Sequence, residues 1–345
     1  MPYHLATPHR SPDGNAPSSG GPAWWRERSL VGTASVLPVA GAQDRMDLCV
    51  PAAPPFTPGR LMRVQVEIND NPLEVEVLGT AGAPTLIAHH GAPGLSSRAE
   101  PRTTFGPLAD VLRVVVYDAR GSGESGLSPP FTHRQWVADM DAVREHVSAD
   151  RIVVAGGSYG GFIAIEYALA HPDLVRAMIL RDTAADNRHD EAARRNALAS
   201  NRIELDMGRF ERIMDGHVRD DDDFAQCWRH ILPLYDHDFD PARVEERVRN
   251  TTYHHATHNF AFRHNMPSYD ILDRLPEIQC PVLVTVGRDD WIVPVSESEA
   301  IADRIPNSKL VVFERSGHSP QIEEAELFQS VMRDFLRDTG IIAGD

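Results

Sequence analysis

Cysteine is scarce in this 345-residue chain: Cys49, Cys227 and Cys280 are odd in number and far apart. That usage argues against a disulfide framework and fits a reducing compartment. No two of them stand at a metal-binding or redox spacing, so no metal and no cofactor are expected. Positive charge is also in short supply. With 34 basic against 50 acidic side chains the formal charge is -16, which provides no basic stripe for a polyphosphate backbone or an anionic bilayer. Nucleic acid and membrane are therefore not expected partners. No apolar run approaches the roughly 20 residues of a spanning helix. The N-terminus lacks a basic start followed by a continuous apolar block, and a cytoplasmic location is the expectation. The composition, 42% hydrophobic and 24% charged, suits a globular protein with a sizeable core.

Residues 1–58 hold ten of the 26 prolines among scattered glycine and serine. Such a segment cannot sustain a helix or a ladder and is expected to be a disordered tail, with "SLVGTASVLPVAG" as its one patch able to dock. Alternation begins at "LMRVQVEI" and continues in "PLEVEVLG", which reads as an antiparallel hairpin with one buried face. Short apolar runs follow, "TLIAHH", "RVVVYDA", "RIVVAG" and "AMILRD", interleaved with helix-period segments such as "RQWVADMDAVREHV" and "FIAIEYALAHP". Near-continuous apolar strands alternating with helices imply an α/β fold, a mostly parallel central sheet with helices on both faces. The rhythm breaks at residues 183–267, polar and helical in character, which reads as an inserted helical cap. It resumes with "PVLVTVG", a helix over 296–304, the strand "KLVVFE" and a closing helix over 323–337. The core is thus expected at 61–182 and 268–340.

The chemistry centres on Gly156-Gly157-Ser158-Tyr159-Gly160, a G-x-S-x-G pattern between a strand and a helix. Its glycines leave room for a strained turn that projects the serine hydroxyl. A phosphate loop is excluded, because Phe162 and Ile163 follow Gly161 where Lys and Ser or Thr are required. A serine needs an imidazole to take its proton and a carboxylate to orient that imidazole. In this context the chain order is Ser, acid, His. "TVGRDDWIVP" offers Asp289 or Asp290 after one strand, and "VVFERSGHSP" offers His318 after the next. Two N–H groups should face the developing oxyanion: that of Tyr159, and one from Gly91 or Ala92 in "TLIAHHGAPGLSS".

These motifs resemble the α/β-hydrolase superfamily and, within it, the proline iminopeptidases or prolyl aminopeptidases. "HGAPG" is similar to that group's HGGPG, "VVYDARGSGES" to its D-x-R-G-x-G-x-S loop, and "GGSYGG" to its GGSWG elbow. The resemblance covers residues 61–340. It implies Ser158 as nucleophile, Asp290 as acid (three residues after Gly287), His318 as base, and Ala92 with Tyr159 as oxyanion donors. It also implies an acyl-enzyme route to a small-molecule or short-peptide substrate, and a bracing role for Asp118-Ala119-Arg120-Gly121.

The cap departs from the family pattern. Iminopeptidases hold the substrate's free amine with cap carboxylates, and the position in "TTYHHATHNFAFRH" that matches one of these glutamates is Asn259. The run Asp220 to Asp223 reads as a solvated face. His254 and His258 lack the glutamate of a zinc-peptidase helix, His255 standing in its place; polar lining or surface positions are expected for them. Trp228, Tyr235, Phe260 and Phe262 read as packing residues, one or two lining an apolar acyl pocket. Three readings follow: an iminopeptidase-type peptidase or amidase first, a small-molecule esterase or lactonase second, and a non-catalytic binder on the same scaffold last.

Overall fold

The computed structural model describes residues 62–343. The proline-rich stretch 1–58 and its docking patch lie outside the described residues. Eight strands, β1 (Met62–Ile68), β2 (Asn71–Leu78), β3 (Thr85–His89), β4 (Arg113–Tyr117), β5 (Ile152–Gly157), β6 (Val175–Arg181), β7 (Val282–Gly287) and β8 (Ser308–Phe313), form one sheet in the order β1-β2-β4-β3-β5-β6-β7-β8. β1 and β2 make an antiparallel hairpin through Asn69 and Asp70, which take φ of 49° and 58°, as a tight two-residue hairpin turn demands. β2 also runs antiparallel to β4. Every later pairing is parallel.

Parallel strands are buried on both faces, and alternate residues supply the two cores. Ile87, Val115 and Val154 enter one core with Trp136, Met140 and Phe162. Leu86, Val114 and Val153 enter the other with Phe105, Phe328 and Phe335. The first core is covered by α2 (His133–His146) and α3 (Tyr159–Ala170), while α1 (Ala99–Phe105) lies over the second.

Between β6 and β7 the chain leaves the sheet and forms α4 (His189–Ala199), α5 (Met207–Met214), α6 (Asp221–Ile231), α7 (Pro241–Asn250) and α8 (His255–Phe260), with a π-helical turn at Ala261–Asn265. Its exit and return strands are bridged at Asp186 and Asp270, and the Ile271 N–H donates to the Ala185 carbonyl at 2.9 Å. These helices bury an apolar cluster of their own, including Phe210, Phe224, Trp228, Ile231 and Tyr235, and Trp291 from the loop after β7 joins it. Past β7 come α9 (Val295–Ala302), α10 (Pro320–Glu323) and α11 (Ala325–Asp338), the last of which presses Phe328, Met332 and Phe335 onto the second core.

Sequential order reverses at β3, which lies between β4 and β5. In open parallel sheets the crevice beyond the carboxyl ends at such a reversal is where ligands sit. The loops after β3 and β5 emerge side by side there, His89 pairing with Gly156.

Candidate active site

Ser158 occupies the one-residue turn between β5 and α3, with φ 53° and ψ -127°. A non-glycine residue in this region carries strain of about 1–3 kcal/mol, and the surrounding hydrogen bonds hold it there. The Ser158 N–H donates to the Arg181 carbonyl at 2.8 Å, and its own carbonyl accepts from the Gly161 N–H at 2.9 Å and from Thr183 Oγ1 at 2.8 Å. Gly160 shows why the flank must be small: a Cβ there would lie 2.4 Å from the His89 carbonyl oxygen and 2.5 Å from that of His90. The elbow and the loop after β3 touch backbone to backbone.

Asp290 and His318 are brought together. His318 Nδ1 lies 2.7 Å from Asp290 Oδ2 in a buried contact. The other carboxylate oxygen, Oδ1, accepts the N–H groups of Ile292 and Val293, each at 3.0 Å. An ionised carboxylate only accepts, so Nδ1 carries the imidazole proton and Nε2 keeps its lone pair. Asp289 points elsewhere, to His237 at the surface, 2.5 Å away. Ser158 Oγ and His318 are not hydrogen-bonded to each other among the described residues.

Two neighbours that the sequence reading did not single out hold this arrangement. Arg181, the last residue of β6, is fully buried and donates to the His318 carbonyl at 2.8 Å while pairing with Glu100 at 2.6 Å and Asp182 at 3.0 Å. Glu100 Oε2 in turn accepts the Gly91 N–H at 3.2 Å. One guanidinium thus links the histidine loop to the loop after β3. Asp182 accepts the Gly287 N–H at 2.9 Å, and burial, aided by the charge of Asp290, pushes its carboxyl up to about 7. Ligand atoms of Asp182, Asp290 and His318 lie within 4.8 Å of one another. The carboxylate oxygens of Asp182 and Asp290 are engaged by backbone N–H groups, Arg181 and His318 Nδ1, and Arg181 already supplies the positive charge that a metal would bring. The signal for both residues is in "AMILRD", where two charges end an otherwise apolar strand at its carboxyl edge.

The backbone N–H groups of Ala92 and Tyr159 have no hydrogen-bond partner among the described residues, and both residues line the same cavity as Ser158. Tyr159 also begins α3, whose aligned peptide dipoles favour negative charge at this end. Its side chain is anchored by His133 Nε2 at 2.7 Å from the phenol oxygen, with Glu166 2.7 Å from His133 Nδ1. The loop carrying Ala92 is braced from below. The Ala119 N–H donates to His90 Nε2 at 3.0 Å, the Gly94 N–H to Ser122 Oγ at 2.9 Å, and Asp118 receives the N–H groups of Arg98 and Glu124 at 2.6 and 2.9 Å. Burial lowers the pKa of His90 to about 4, so its ring is neutral.

The cavity over Ser158 is walled by Leu95, Phe162, Met214, Ile231, Phe262, Met266 and Val293, with Trp228 and Tyr235 from the helical insertion. Among the described residues no aspartate, glutamate, lysine or arginine lines it. Asn259 is committed to the Val218 backbone, at 2.8 and 3.1 Å. Asp220 caps α6, Asp221 meets His255, and Asp223 pairs with Arg212 and Arg219. Phe260 packs edge-on against Phe131 rather than lining the cavity. His254 binds the Gly123 carbonyl at 2.8 Å. Of the polar lining or surface positions expected for these histidines, His258 takes the lining one: it is 1% exposed, enclosed between aromatic rings, and it lines the cavity.

Comparison with known proteins agrees with this architecture. Residues 84–325, well over half of the chain, match the model of the alpha/beta hydrolase fold family. The chain is 31% identical over 276 residues to "Proline iminopeptidase PfmaB" of Pestalotiopsis fici, a match covering 79% of this chain and 98% of that protein. It is 26% identical over 265 residues to a proline iminopeptidase of Lactobacillus helveticus, covering 73% and 90% of the two chains. Among solved structures it is similar to a thermophilic esterase from Thermogutta terrifontis, with a TM-score of 0.63, 29% identity, and coverage of 81% of this chain and 99% of that one.

Proposed function

The chain belongs to the α/β-hydrolase fold family, and from that premise we propose that it is a serine hydrolase working through an acyl-enzyme, with an uncharged small-molecule ester or lactone as its substrate. In this reading Ser158 Oγ attacks the substrate carbonyl as His318 Nε2 takes the hydroxyl proton, and Asp290 keeps that proton's counterpart on Nδ1 and stabilises the imidazolium. The N–H groups of Ala92 and Tyr159 receive the oxyanion. Collapse of the tetrahedral intermediate expels the leaving group, protonated by His318. Water then attacks the acyl-enzyme with the same imidazole as base, returning the free acid and Ser158.

The observation that carries the choice of substrate is the charge-free lining of the cavity. An N-terminal residue with its ammonium would have to be desolvated there without a paired carboxylate, which is strongly unfavourable. The second reading, an iminopeptidase-type peptidase, is supported by the names and identities of the relatives. Prolyl and other aminoacyl arylamides set against short-chain aryl esters and lactones discriminate the two. Turnover of esters or lactones with arylamides inert is the expected result, and preference for free-amine arylamides overturns it. Ser158→Ala should lower kcat by about 10³-fold or more; activity near wild type in that variant would remove the nucleophile assignment, whereas wild-type protein inert on every substrate of the panel would leave the binding-protein reading.

A further inference from the structure

Two imidazoles in the wall of the cavity have their tautomers set by their partners. His258 Nε2 lies 2.9 Å from the carbonyl oxygen of Ile213. A carbonyl only accepts, so Nε2 carries the proton. Burial lowers the ring's pKa to about 4, and the neutral ring therefore has a lone pair on Nδ1. That nitrogen is enclosed and has no hydrogen-bond partner among the described residues. The ring is held between Phe224 and Phe262, with both centroid separations at 4.3 Å, and cannot turn to find one without breaking its bond to Ile213. His189 repeats the pattern. Its Nδ1 donates to the Asp186 carbonyl at 2.7 Å, burial lowers its pKa, and Nε2 is left as an acceptor. Both side chains line the cavity that contains Ser158.

A buried acceptor without a donor costs free energy unless something else supplies the donor. Here two neutral rings place acceptors in a wall that is otherwise largely apolar and, among the described residues, carries no aspartate, glutamate, lysine or arginine. A carboxylate in the substrate would face their lone pairs, and an ammonium would lack a counter-charge. Resting on the serine-hydrolase reading above, we propose that His258, seconded by His189, determines specificity, and that the preferred acyl group is uncharged and bears a hydroxyl that donates to these ring nitrogens.

The test uses nitrophenyl esters of α-hydroxy, β-hydroxy and hydroxyphenyl-substituted acids, each paired with an isostere carrying methyl in place of hydroxyl. Wild-type protein should favour at least one hydroxyl member by about 10- to 100-fold in kcat/KM, since a site with an unpaired polar group discriminates against a substrate lacking its partner. His258→Phe keeps a ring between Phe224 and Phe262 but removes both nitrogens, and should bring that ratio towards unity. His258→Gln can both donate to Ile213 and accept from substrate, and should restore part of it. Circular dichroism checks the fold, and His189→Phe makes the same comparison if His258→Phe does not fold. Hydrolysis of each ester and its isostere at equal efficiency overturns this proposal alone, as does a ratio that His258→Phe and His189→Phe both leave unchanged. Hydrolysis of neither member of any pair overturns the underlying hydrolase reading and this proposal with it.

Discussion

Replacing Asp290 with asparagine separates the two halves of its work. In the native loop Oδ1 accepts the N–H groups of Ile292 and Val293 at 3.0 Å, and Oδ2 faces His318 Nδ1 at 2.7 Å. Asparagine has one acceptor oxygen. The two backbone donors claim it, because an amide NH₂ turned towards them would set donor against donor. The NH₂ then faces His318, whose Nδ1 must give up its proton and accept. The imidazole becomes protonated on Nε2 and has no lone pair for the serine hydroxyl. A reversed tautomer at intact geometry costs about 10⁴-fold in kcat, or about 5 kcal/mol of transition-state stabilisation at 1.36 kcal/mol per decade. Asp289→Asn is the control. That side chain is 45% exposed and among the described residues pairs with His237 alone, a surface interaction worth about 0–1 kcal/mol, so turnover should stay within about fivefold of wild type. Steady-state ester hydrolysis at pH 8 supplies both rates, and thermal melts confirm that each variant is folded. The reasoning is refuted by an Asp290→Asn enzyme that keeps a tenth or more of wild-type kcat, or by an Asp289→Asn enzyme that is the more damaged of the two.

Two further expectations concern stability. Gly160→Ala drives a Cβ to within 2.4 and 2.5 Å of the His89 and His90 carbonyl oxygens, which are backbone atoms and cannot rotate away. A loss of about 1–3 kcal/mol with a fall in kcat is expected, the latter because the same loop presents Ala92; an unchanged urea midpoint would contradict it. Asp182 makes stability depend on pH. Its folded-state carboxyl holds its proton up to about 7, against an ordinary value of 3.8. Between those values the folded chain binds more protons than the unfolded chain, so this group's contribution falls as pH rises. Wild type should lose up to about 2 kcal/mol more than Asp182→Asn between pH 5 and pH 7. Parallel stability curves for the two proteins would rule this out.

The parts of the molecule legible in the sequence were those whose cause is local. Alternation in "LMRVQVEI" and continuous apolarity in "RIVVAG" follow from which faces of a strand are covered, and β1 and β5 form there. Ser158, Asp290 and His318 were legible as candidates because each follows a strand of one sheet at its carboxyl end, and a common sheet edge turns separation along the chain into proximity, as in the 2.7 Å contact of His318 with Asp290. Even so, spacing alone left Asp289 and Asp290 open, and the choice of which faces His318 belongs to the two backbone N–H groups that turn the loop. The pair of charges in "AMILRD" marks Arg181 and Asp182, but not what they hold, because besides the adjacent Asp182 the partners of Arg181 are Glu100 and the His318 carbonyl, distant in sequence.

The insertion was least legible, and His258 shows why. Histidines at 254 and 258, with His255 between them, show the same i, i+4 spacing whether they face solvent, a metal or a core. In the structure His254 binds a backbone carbonyl, His255 an aspartate, and His258 a carbonyl between two phenyl rings. What distinguishes His258 is a buried nitrogen without a partner among the described residues, a property of the three-dimensional environment that has no counterpart in residue type or spacing. In the proposed reading the sheet edge supplies a reacting centre that many acyl groups could use, and discrimination among them falls to the lining contributed by the helices between β6 and β7, where residue pattern alone says least.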